Sequence, residues 1–187
     1  MGVRRVFLSR RPGELPTAGV ICATCSRHSV DAMTIATADL YDDRGDELDS
    51  VSLQFQDIGG NTAFDGTIRT VRCFRDNALV KATLATPGEG AVLVVDGGGS
   101  LESALVGDLI AASAVENGWA GIIVNGAIRD REAIGGLPLG VKALGSNPRK
   151  SAKDGVGDVD VVVEIAGVLF VPGKRVWADS DGILVER

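Results

Sequence analysis

Two continuous apolar runs constrain the fold of this chain more than any other feature of its sequence. Residues 91–96 read AVLVVD and residues 121–125 read GIIVN. Runs of this kind, without polar alternation, are typical of strands that are buried on both faces of a sheet. Because a helix-length segment separates them, they predict a parallel, right-handed strand–helix–strand unit. The sequence therefore predicts an α/β fold.

The segment between the two runs is predicted to turn and then form a helix. The glycines at 97–99 turn the chain, Ser100 is a candidate N-cap, and the helix is expected over residues 101–117 with Gly118 as its stop. Gly107 would then lie inside a helix. A glycine there costs about 1 kcal/mol relative to alanine, which indicates that another group approaches the backbone closely.

Shorter patterns predict the other elements. Strands are expected over residues 51–55 and 66–74, and helices from Thr34 or Thr37 through Leu40 and from Asn77 to near Pro87. The C-terminal part is rich in short strands, which are expected over residues 159–166, 168–171, 175–178 and 183–185. This mixture predicts one domain over residues 33–187, an α/β sandwich with a curved, mixed sheet.

Residues 1–32 differ from the rest of the chain because they carry several arginines and show no clear period. We expect a flexible leader, with Met33 as an alternative natural start. Cys22 and Cys25 followed by His28 resemble half of a zinc site, but a single CxxC pair is a weak signal. The short apolar stretch in this region is poorly flanked for a signal peptide.

Charge and composition exclude several classes of function. The net charge of −6 and the lack of a long basic run argue against nucleic acid as the main partner. No apolar stretch is long enough to span a bilayer. Three cysteines form no disulfide framework for a domain of this size, which favours the cytoplasm. His28 is the single histidine and lies outside the predicted domain. Acid–base chemistry must therefore use carboxylates, lysine or metal-bound water.

The most informative polar groups are Asp108 and the pair Arg129-Asp130. Twenty residues separate Asp108 from Arg129, which fits one helix and one strand and would bring both ends to the same sheet edge. An arginine beside a carboxylate there can bind an anionic substrate and a divalent metal together. The alternatives are an Asp108 on the exposed side of an ordinary helix and a solvated charged loop at Arg129.

Two further motifs carry weaker signals. The glycines at 97–99 resemble a nucleotide or S-adenosylmethionine loop, but they are consecutive and the next strand ends in Asn125 rather than in an acidic residue. A tight turn, or a turn that lines an anion pocket, fits better. The basic cluster at residues 147–150 with Lys153 lacks interleaved aromatic residues, so a solvated loop or a subunit contact is favoured over RNA binding.

Together these motifs resemble the class II 4-hydroxy-4-methyl-2-oxoglutarate aldolases, whose superfamily includes the regulator of ribonuclease E activity A. The resemblance lies in VVDGGGS at 94–100, ALVGD at 104–108 and GAIRD at 126–130, and it extends over residues 37–185. It implies a homotrimer of αββα-sandwich subunits with sites between neighbours. The family signature of Asp, twenty residues and Arg-Asp is matched by Asp108, Arg129 and Asp130.

The resemblance also implies a reaction and roles for these residues. The reaction is cleavage of a 4-hydroxy-2-oxo dicarboxylate to pyruvate, with secondary decarboxylation of oxaloacetate. Asp130 would anchor Mg²⁺ or Mn²⁺, Arg129 would bind substrate oxygens, and Asp108 would orient a water or relay a proton. The backbone of Gly107, Asp108, Leu109 and Ile110 would hold the pyruvyl carboxylate. The alternative implied by the same superfamily is a non-enzymatic trimer that inhibits a ribonuclease.

Overall fold

A computed structural model describes residues 36–187 of the chain. The expectations for the leader at 1–32, its Cys22, Cys25 and His28, and a start at Met33 concern residues outside this range. The described residues contain no helix that is both long enough and apolar enough to cross a membrane.

The described part contains four α-helices and twelve strands. The helices are α1 (Thr37–Arg44), α2 (Ala78–Leu84), α3 (Asp108–Glu116) and α4 (Arg131–Gly135). The strands are β1 (Leu48–Ser50), β2 (Gln56–Asp57), β3 (Phe64–Cys73), β4 (Val92–Asp96), β5 (Ala104–Val106), β6 (Gly121–Ile128), β7 (Gly140–Ser146), β8 (Gly157–Val159), β9 (Val163–Ile165), β10 (Val168–Phe170), β11 (Arg175–Ala178) and β12 (Ile183–Glu186).

The strands form a large mixed sheet in the order β1-β12-β11-β3-β4-β6-β7-β2, with β5 paired to β6 and β8 paired to β3. β3, β4, β6 and β7 run parallel to one another, and β11, β12 and β1 continue the sheet antiparallel. β9 and β10 form a separate two-stranded hairpin. The parallel pairing of the two apolar runs, β4 and β6, confirms the α/β prediction.

Alternation along the strands divides the molecule into layers. On β4, Leu93 and Val95 pack into a core with the helical residues Val80 and Ala111, while the intervening valines face a second core. This second core is closed by residues of β9–β12, among them Val176 and Val185. The outer face of β11 and β12 packs against Leu40 of α1. The layers are therefore helices α2 and α3, the parallel strands, the antiparallel strands of the same large sheet, and α1, so the predicted αββα sandwich is confirmed.

The expected helix over residues 101–117 is wrong in its first half. Residues 104–106 instead form β5, which is fully buried and pairs with the end of β6, and the helix begins only at Asp108. A short apolar run such as Ala-Leu-Val is compatible with either a strand or a helix, and its period alone does not distinguish them. The pairing partner on β6 decides the outcome here. The C-terminal end of the helix is as predicted, since Gly118 follows α3 with a φ of +73°.

Other boundaries also differ. Residues 51–55 are not a strand; β1 and β2 lie on either side of them. The expected strand at 159–166 is split, because β8 pairs with β3 whereas β9 pairs with β10. Asn77 is the N-cap residue of α2, as predicted, but its side chain makes no capping hydrogen bond; Oδ1 of Asp76 instead accepts the Ala78 N–H at 2.9 Å. The short helix α4 and the strand β7 had not been predicted.

Candidate active site

The candidate site lies where β5 and β6 end side by side. Val106 is paired with Ile128 at the ends of these two strands. The N–H of Arg129 donates to the carbonyl of Val106 at 3.0 Å, which extends this pairing by one step. Gly107 and Arg129 therefore leave the sheet together. The spacing in the sequence reflects this register, and the prediction that Asp108 and Arg129-Asp130 meet at one sheet edge is confirmed.

Gly107 provides the space for the site. It is the N-cap of α3 rather than a helix-interior residue, which corrects the expectation, and its φ and ψ of −132° and −178° are open to any residue. A Cβ built there would lie 2.9 Å from Asp130 Oδ2 and 3.0 Å from Arg129 Nε. The glycine is thus required by close contact and not by backbone conformation. The close approach inferred from the sequence is present, but for a different reason.

Asp130 sits at a sharp change of chain direction. Its backbone is left-handed, with a φ of +57° and a ψ of +43°, and its carbonyl accepts the Ile134 N–H that starts α4. Its Oδ2 atom lies 3.2 Å from Arg129 Nε and 3.4 Å from the Asp108 N–H. The described part of the chain places no hydrogen-bond donor on Oδ1. That oxygen is the one available to a further ligand, and the side chain is 37% exposed.

Carboxylates already face the first N–H groups of α3. The Asp108 N–H points at Asp130 Oδ2, and the Leu109 N–H donates to Asp108 Oδ1 at 2.8 Å. These donors carry the positive end of the helix dipole, which favours anions. A substrate carboxylate that bound here would compete with the Asp108 side chain. Leu109 itself is 79% exposed, so this helix start is open to solvent.

Two cavities meet at Asp108 and Arg129. The smaller, of about 170 Å³, is also lined by Gly107, Leu109, Ile110 and the lysines 81, 150 and 153. The larger, of about 570 Å³, contains Asp130, Glu132 and Asn147. One side of the site is therefore rich in lysine and the other carries the carboxylates. A ligand that lies across Asp108 and Arg129 contacts both sides.

The donor atoms fit one kind of metal site only. Within residues 36–187 no group of three or more His, Cys, Asp or Glu side chains gathers in a way that could hold a metal. A closed cage of protein ligands is therefore not built here. Mg²⁺ commonly binds through one or two carboxylates and keeps several waters. The open Oδ1 of Asp130, with Asp108 nearby, fits such a water-rich cation.

Lys81 is a residue of this site that the sequence did not reveal. It lies on α2, far from the Asp and Arg motifs in sequence, yet it lines the same cavity as Asp108 and Arg129. Lys150 and Lys153, which the sequence analysis assigned to a solvated loop or a subunit contact, line this cavity too. The basic character of residues 149–153 was the available signal, but nothing local linked it to Asp108.

The glycine-rich turn is closed by its own hydrogen bonds. The N–H groups of Gly97 and Gly99 donate to the Asn125 carbonyl, and that of Ser100 donates to the Gly97 carbonyl. Asp96 Oδ1 accepts from the Gly98 N–H at 3.0 Å and from the Asn125 amide at 2.9 Å. The backbone donors that a phosphate-binding loop would offer are therefore occupied. This arrangement supports the interpretation of the segment as a tight turn.

The chain belongs to the RraA-like family, described as Aldolase/RraA, whose model matches residues 37–185. The match covers α1 through β12 and includes the whole candidate site. The family resemblance inferred from the sequence is thereby confirmed.

Solved structures of related proteins carry different names. One, from Geobacillus kaustophilus HTA426, is named an S-adenosylmethionine:2-dimethylmenaquinone methyltransferase. It has 50% sequence identity and a TM-score of 0.80, and the match covers 81% of this chain and 94% of the Geobacillus chain. Another, the RNA-processing inhibitor RraA from Thermus thermophilus, has 46% sequence identity and a TM-score of 0.80. The match covers 82% of this chain and 93% of the Thermus protein. Streptomyces coelicolor RraAS2, an unusual member of the RNase ES inhibitor RraA family, has 29% sequence identity and a TM-score of 0.63. The match covers 79% of this chain and 76% of RraAS2.

Proposed function

We propose that this protein is a divalent-metal-dependent aldolase that cleaves 4-hydroxy-4-methyl-2-oxoglutarate and related 4-hydroxy-2-oxo acids to pyruvate. The observation that carries the proposal is the contact of Arg129 and Asp130 with the start of α3, made possible by Gly107, in a member of the Aldolase/RraA family. We further propose that the protein works as a homotrimer.

The chemistry of the reaction defines what the site must provide. The C4 hydroxyl loses its proton, the C3–C4 bond breaks, and the electron pair moves towards C2 to form the enolate of pyruvate. A proton then reaches C3 and completes pyruvate, while C4 leaves as the carbonyl carbon of the second product. The site must therefore bind a carboxylate, stabilise negative charge on the C2 oxygen and move two protons.

Arg129 is suited to stabilising the negative charge. Its guanidinium is held by Asp130 and its side chain is partly buried, so its donors are oriented before a substrate arrives. Donors aimed in advance at developing charge typically contribute about 10²–10³-fold to the rate. Arg129 would donate to the carboxylate and the 2-oxo group of the substrate.

Asp130 would hold Mg²⁺ or Mn²⁺ through Oδ1 and bound water. When bound there, the cation would supply Lewis-acid stabilisation of negative charge on the substrate. Asp108 would orient a water molecule or relay the proton, because its carboxylate lies at the same helix start as the Asp130 contact. A substrate carboxylate at the Leu109 N–H would release the Asp108 side chain for this role.

Secondary decarboxylation of oxaloacetate follows from the same chemistry. Loss of CO₂ from oxaloacetate leaves the same pyruvate enolate, so the same charge stabilisation serves both reactions. We therefore expect both activities to respond in parallel to metal and to changes at Arg129.

A coupled assay of pyruvate release tests the proposal. Several 4-hydroxy-2-oxo acids and oxaloacetate are supplied with Mg²⁺, with Mn²⁺ and with excess chelator. We expect pyruvate release with either metal, loss of activity in chelator and recovery when metal is restored in excess. Full activity in excess chelator would exclude this mechanism.

A second candidate function is inhibition of a ribonuclease, favoured by the 46% identity to the Thermus RraA protein. The acidic balance of this chain, −6 overall, is compatible with a basic partner surface. Co-purification with an RNase E-type ribonuclease, beside the pyruvate assay, distinguishes the two. Retention of the ribonuclease without any pyruvate release would favour inhibition alone.

Methyl transfer, the activity in the name of the Geobacillus relative, is less well supported. The glycine-rich turn between β4 and β5 has its N–H groups bonded internally. Calorimetric titration with S-adenosylmethionine is therefore expected to give no binding.

A further inference from the structure

The lysine side of the site carries positive charge for which residues 36–187 provide no ion-pair partner. Lys81, Lys150, Lys153 and Arg129 line the smaller cavity together with the single carboxylate of Asp108, a formal balance of +3. Within residues 36–187, Lys81, Lys150 and Lys153 make no ion pair, whereas the cations Arg129 and Lys142 do. In a chain with a net charge of −6, this local excess is complementary to an anion.

The backbone segments that carry the lysines belong to two different elements, and hydrogen bonds fix their positions. Lys81 is carried by α2, and Lys150 and Lys153 by the loop between β7 and β8. Asp76 fixes this loop because its Oδ2 accepts the N–H groups of Asp154 at 2.7 Å and Gly155 at 2.9 Å.

The same loop is also bonded to β5. The Ala104 N–H donates to the Arg149 carbonyl, and the Ser151 hydroxyl donates to the Ala104 carbonyl, both at 2.8 Å. Lys150 therefore lies between two residues that are fixed to the strand leading into Gly107. Anchoring of this kind lowers the entropy that a ligand must remove on binding.

The size and position of the cavity restrict its ligand. At about 170 Å³ it is smaller than the roughly 300 Å³ at which pockets for drug-sized molecules begin. It shares Asp108 and Arg129 with the larger cavity that contains Asp130. A small molecule bound at Arg129 and Asp130 would thus extend its far end towards the lysines.

We propose that Lys81, Lys150 and Lys153 form a subsite for the second carboxylate of the substrate and select 2-oxo dicarboxylates over 2-oxo monocarboxylates. This inference rests on the proposed function, because that function defines where the first carboxylate of the substrate binds. It adds the residues that decide specificity. The lysines contact the half of the substrate that departs, so they act on substrate choice and not on the charge that develops at C2.

Binding of a matched pair of non-cleavable acids tests this subsite without relying on turnover. 2-Oxoglutarate and 2-oxopentanoate have the same chain length, lack the 4-hydroxyl group and differ only in a terminal carboxylate or methyl. Calorimetric titration of the metal-loaded protein should give tighter binding of 2-oxoglutarate by about tenfold, as expected for one charge-assisted contact. High salt should narrow this difference.

Lysine-to-methionine variants locate the effect. K81M, K150M and K153M should each weaken 2-oxoglutarate binding by about threefold to tenfold, in the range of a partly exposed charged contact. Binding of 2-oxopentanoate should stay within about twofold. K174M serves as the matched control, because Lys174 does not line this cavity.

The outcomes separate this inference from the proposed function. A dicarboxylate preference that disappears in the lysine variants supports the subsite even if no pyruvate is ever released. Pyruvate release together with equal binding of the two acids, or with a preference unchanged in all three variants, would overturn the subsite and leave the aldolase proposal intact. Failure of 2-oxoglutarate to bind the wild-type protein would overturn it as well.

Discussion

Asp130 combines an uncommon backbone conformation with an oriented carboxylate. Left-handed backbone is disfavoured for residues other than glycine, and aspartate and asparagine tolerate it best. At Asp130 this conformation ends β6 and begins α4, and it brings Oδ2 to within 3.2 Å of Arg129 Nε. The backbone and the side chain therefore favour the same residue type for two separate reasons, and these can be tested separately.

Replacement of Asp130 by asparagine isolates the charge. D130N keeps the shape and tolerates the left-handed backbone, so its melting temperature should stay close to wild type while kcat for pyruvate release falls by about 10²–10³-fold. D130A should lose activity equally and also lose about 1 kcal/mol of stability from the backbone. Thermal unfolding measures the stability of the two variants, and the pyruvate assay measures their activity. Normal metal-dependent turnover by D130N would remove Asp130 from the site.

Gly107 offers a test of close contact. In G107A the new methyl group would meet Asp130 Oδ2 at 2.9 Å and Arg129 Nε at 3.0 Å, so this pair must move although the backbone tolerates alanine. We expect kcat/KM to fall at least about tenfold, because small displacements of positioning groups are costly. Urea unfolding should change by less than about 1 kcal/mol. An unchanged kcat/KM in G107A would contradict the requirement for close contact at this position.

At the scale of elements, the loop between β7 and β8 depends on one buried carboxylate. Asp76 is 3% exposed and accepts backbone N–H groups through both oxygens, from α2 on one side and from the loop on the other. Asparagine has a single acceptor oxygen, so one of these groups of donors would lose its partner. Asp76 thereby links the position of Lys81 to that of Lys150 and Lys153.

D76N should accordingly destabilise the protein and loosen the lysine side of the site. We expect a loss of about 1–3 kcal/mol, the usual cost of leaving buried donors unsatisfied. Chemical denaturation measures it. D154N is the matched control, because Asp154 lies on the same loop and its side chain is exposed. Equal stability of the two variants would contradict the role assigned to Asp76.

The elements that the sequence predicted best are those with long, unambiguous patterns. β4 and β6 are apolar at nearly every position, and β3 alternates over most of its length. β5 escaped prediction because its three residues fit either a strand or a helix, and its pairing with β6 is not local. The Asp108 and Arg129-Asp130 motifs were visible in sequence. Lys81 was not, because only the packing of α2 beside α3 brings it to the cavity.

For the whole molecule, carboxylates stabilised by hydrogen bonds link distant segments. Asp179, which precedes β12, accepts the Thr37 N–H at 2.7 Å and the Thr37 hydroxyl at 2.6 Å, and so holds the start of α1. Burial alone would raise the pKa of Asp179, but the bonds from Thr37 and from the turn outweigh it and lower the pKa below 3.8. At Asp76 burial is likewise outweighed by backbone N–H groups, and the pKa is lowered.

These two groups predict how stability depends on acid. A carboxyl whose pKa is lower in the folded state stabilises the fold fully above its ordinary pKa of 3.8, and the contribution is lost as the pH falls from there through the folded pKa. The melting temperature should therefore decrease as the pH is lowered below about 4. D76N and D179N should each be less stable than the wild type at neutral pH, and their melting temperatures should decrease less as the pH is lowered. If both variants showed the same pH dependence of the melting temperature as the wild type, these roles would be contradicted.

Exchange of the methyl protons of pyruvate with deuterium, followed by proton NMR in D₂O, tests most directly whether this site stabilises an enolate. Exchange requires the enolate but no cleavable substrate, so it isolates the step assigned to Arg129, Asp130 and the cation. We predict exchange in the wild-type protein with Mg²⁺ or Mn²⁺, and only background exchange with excess chelator or in D130N. Rapid exchange that persists in chelator and in D130N would contradict the proposed role of the site.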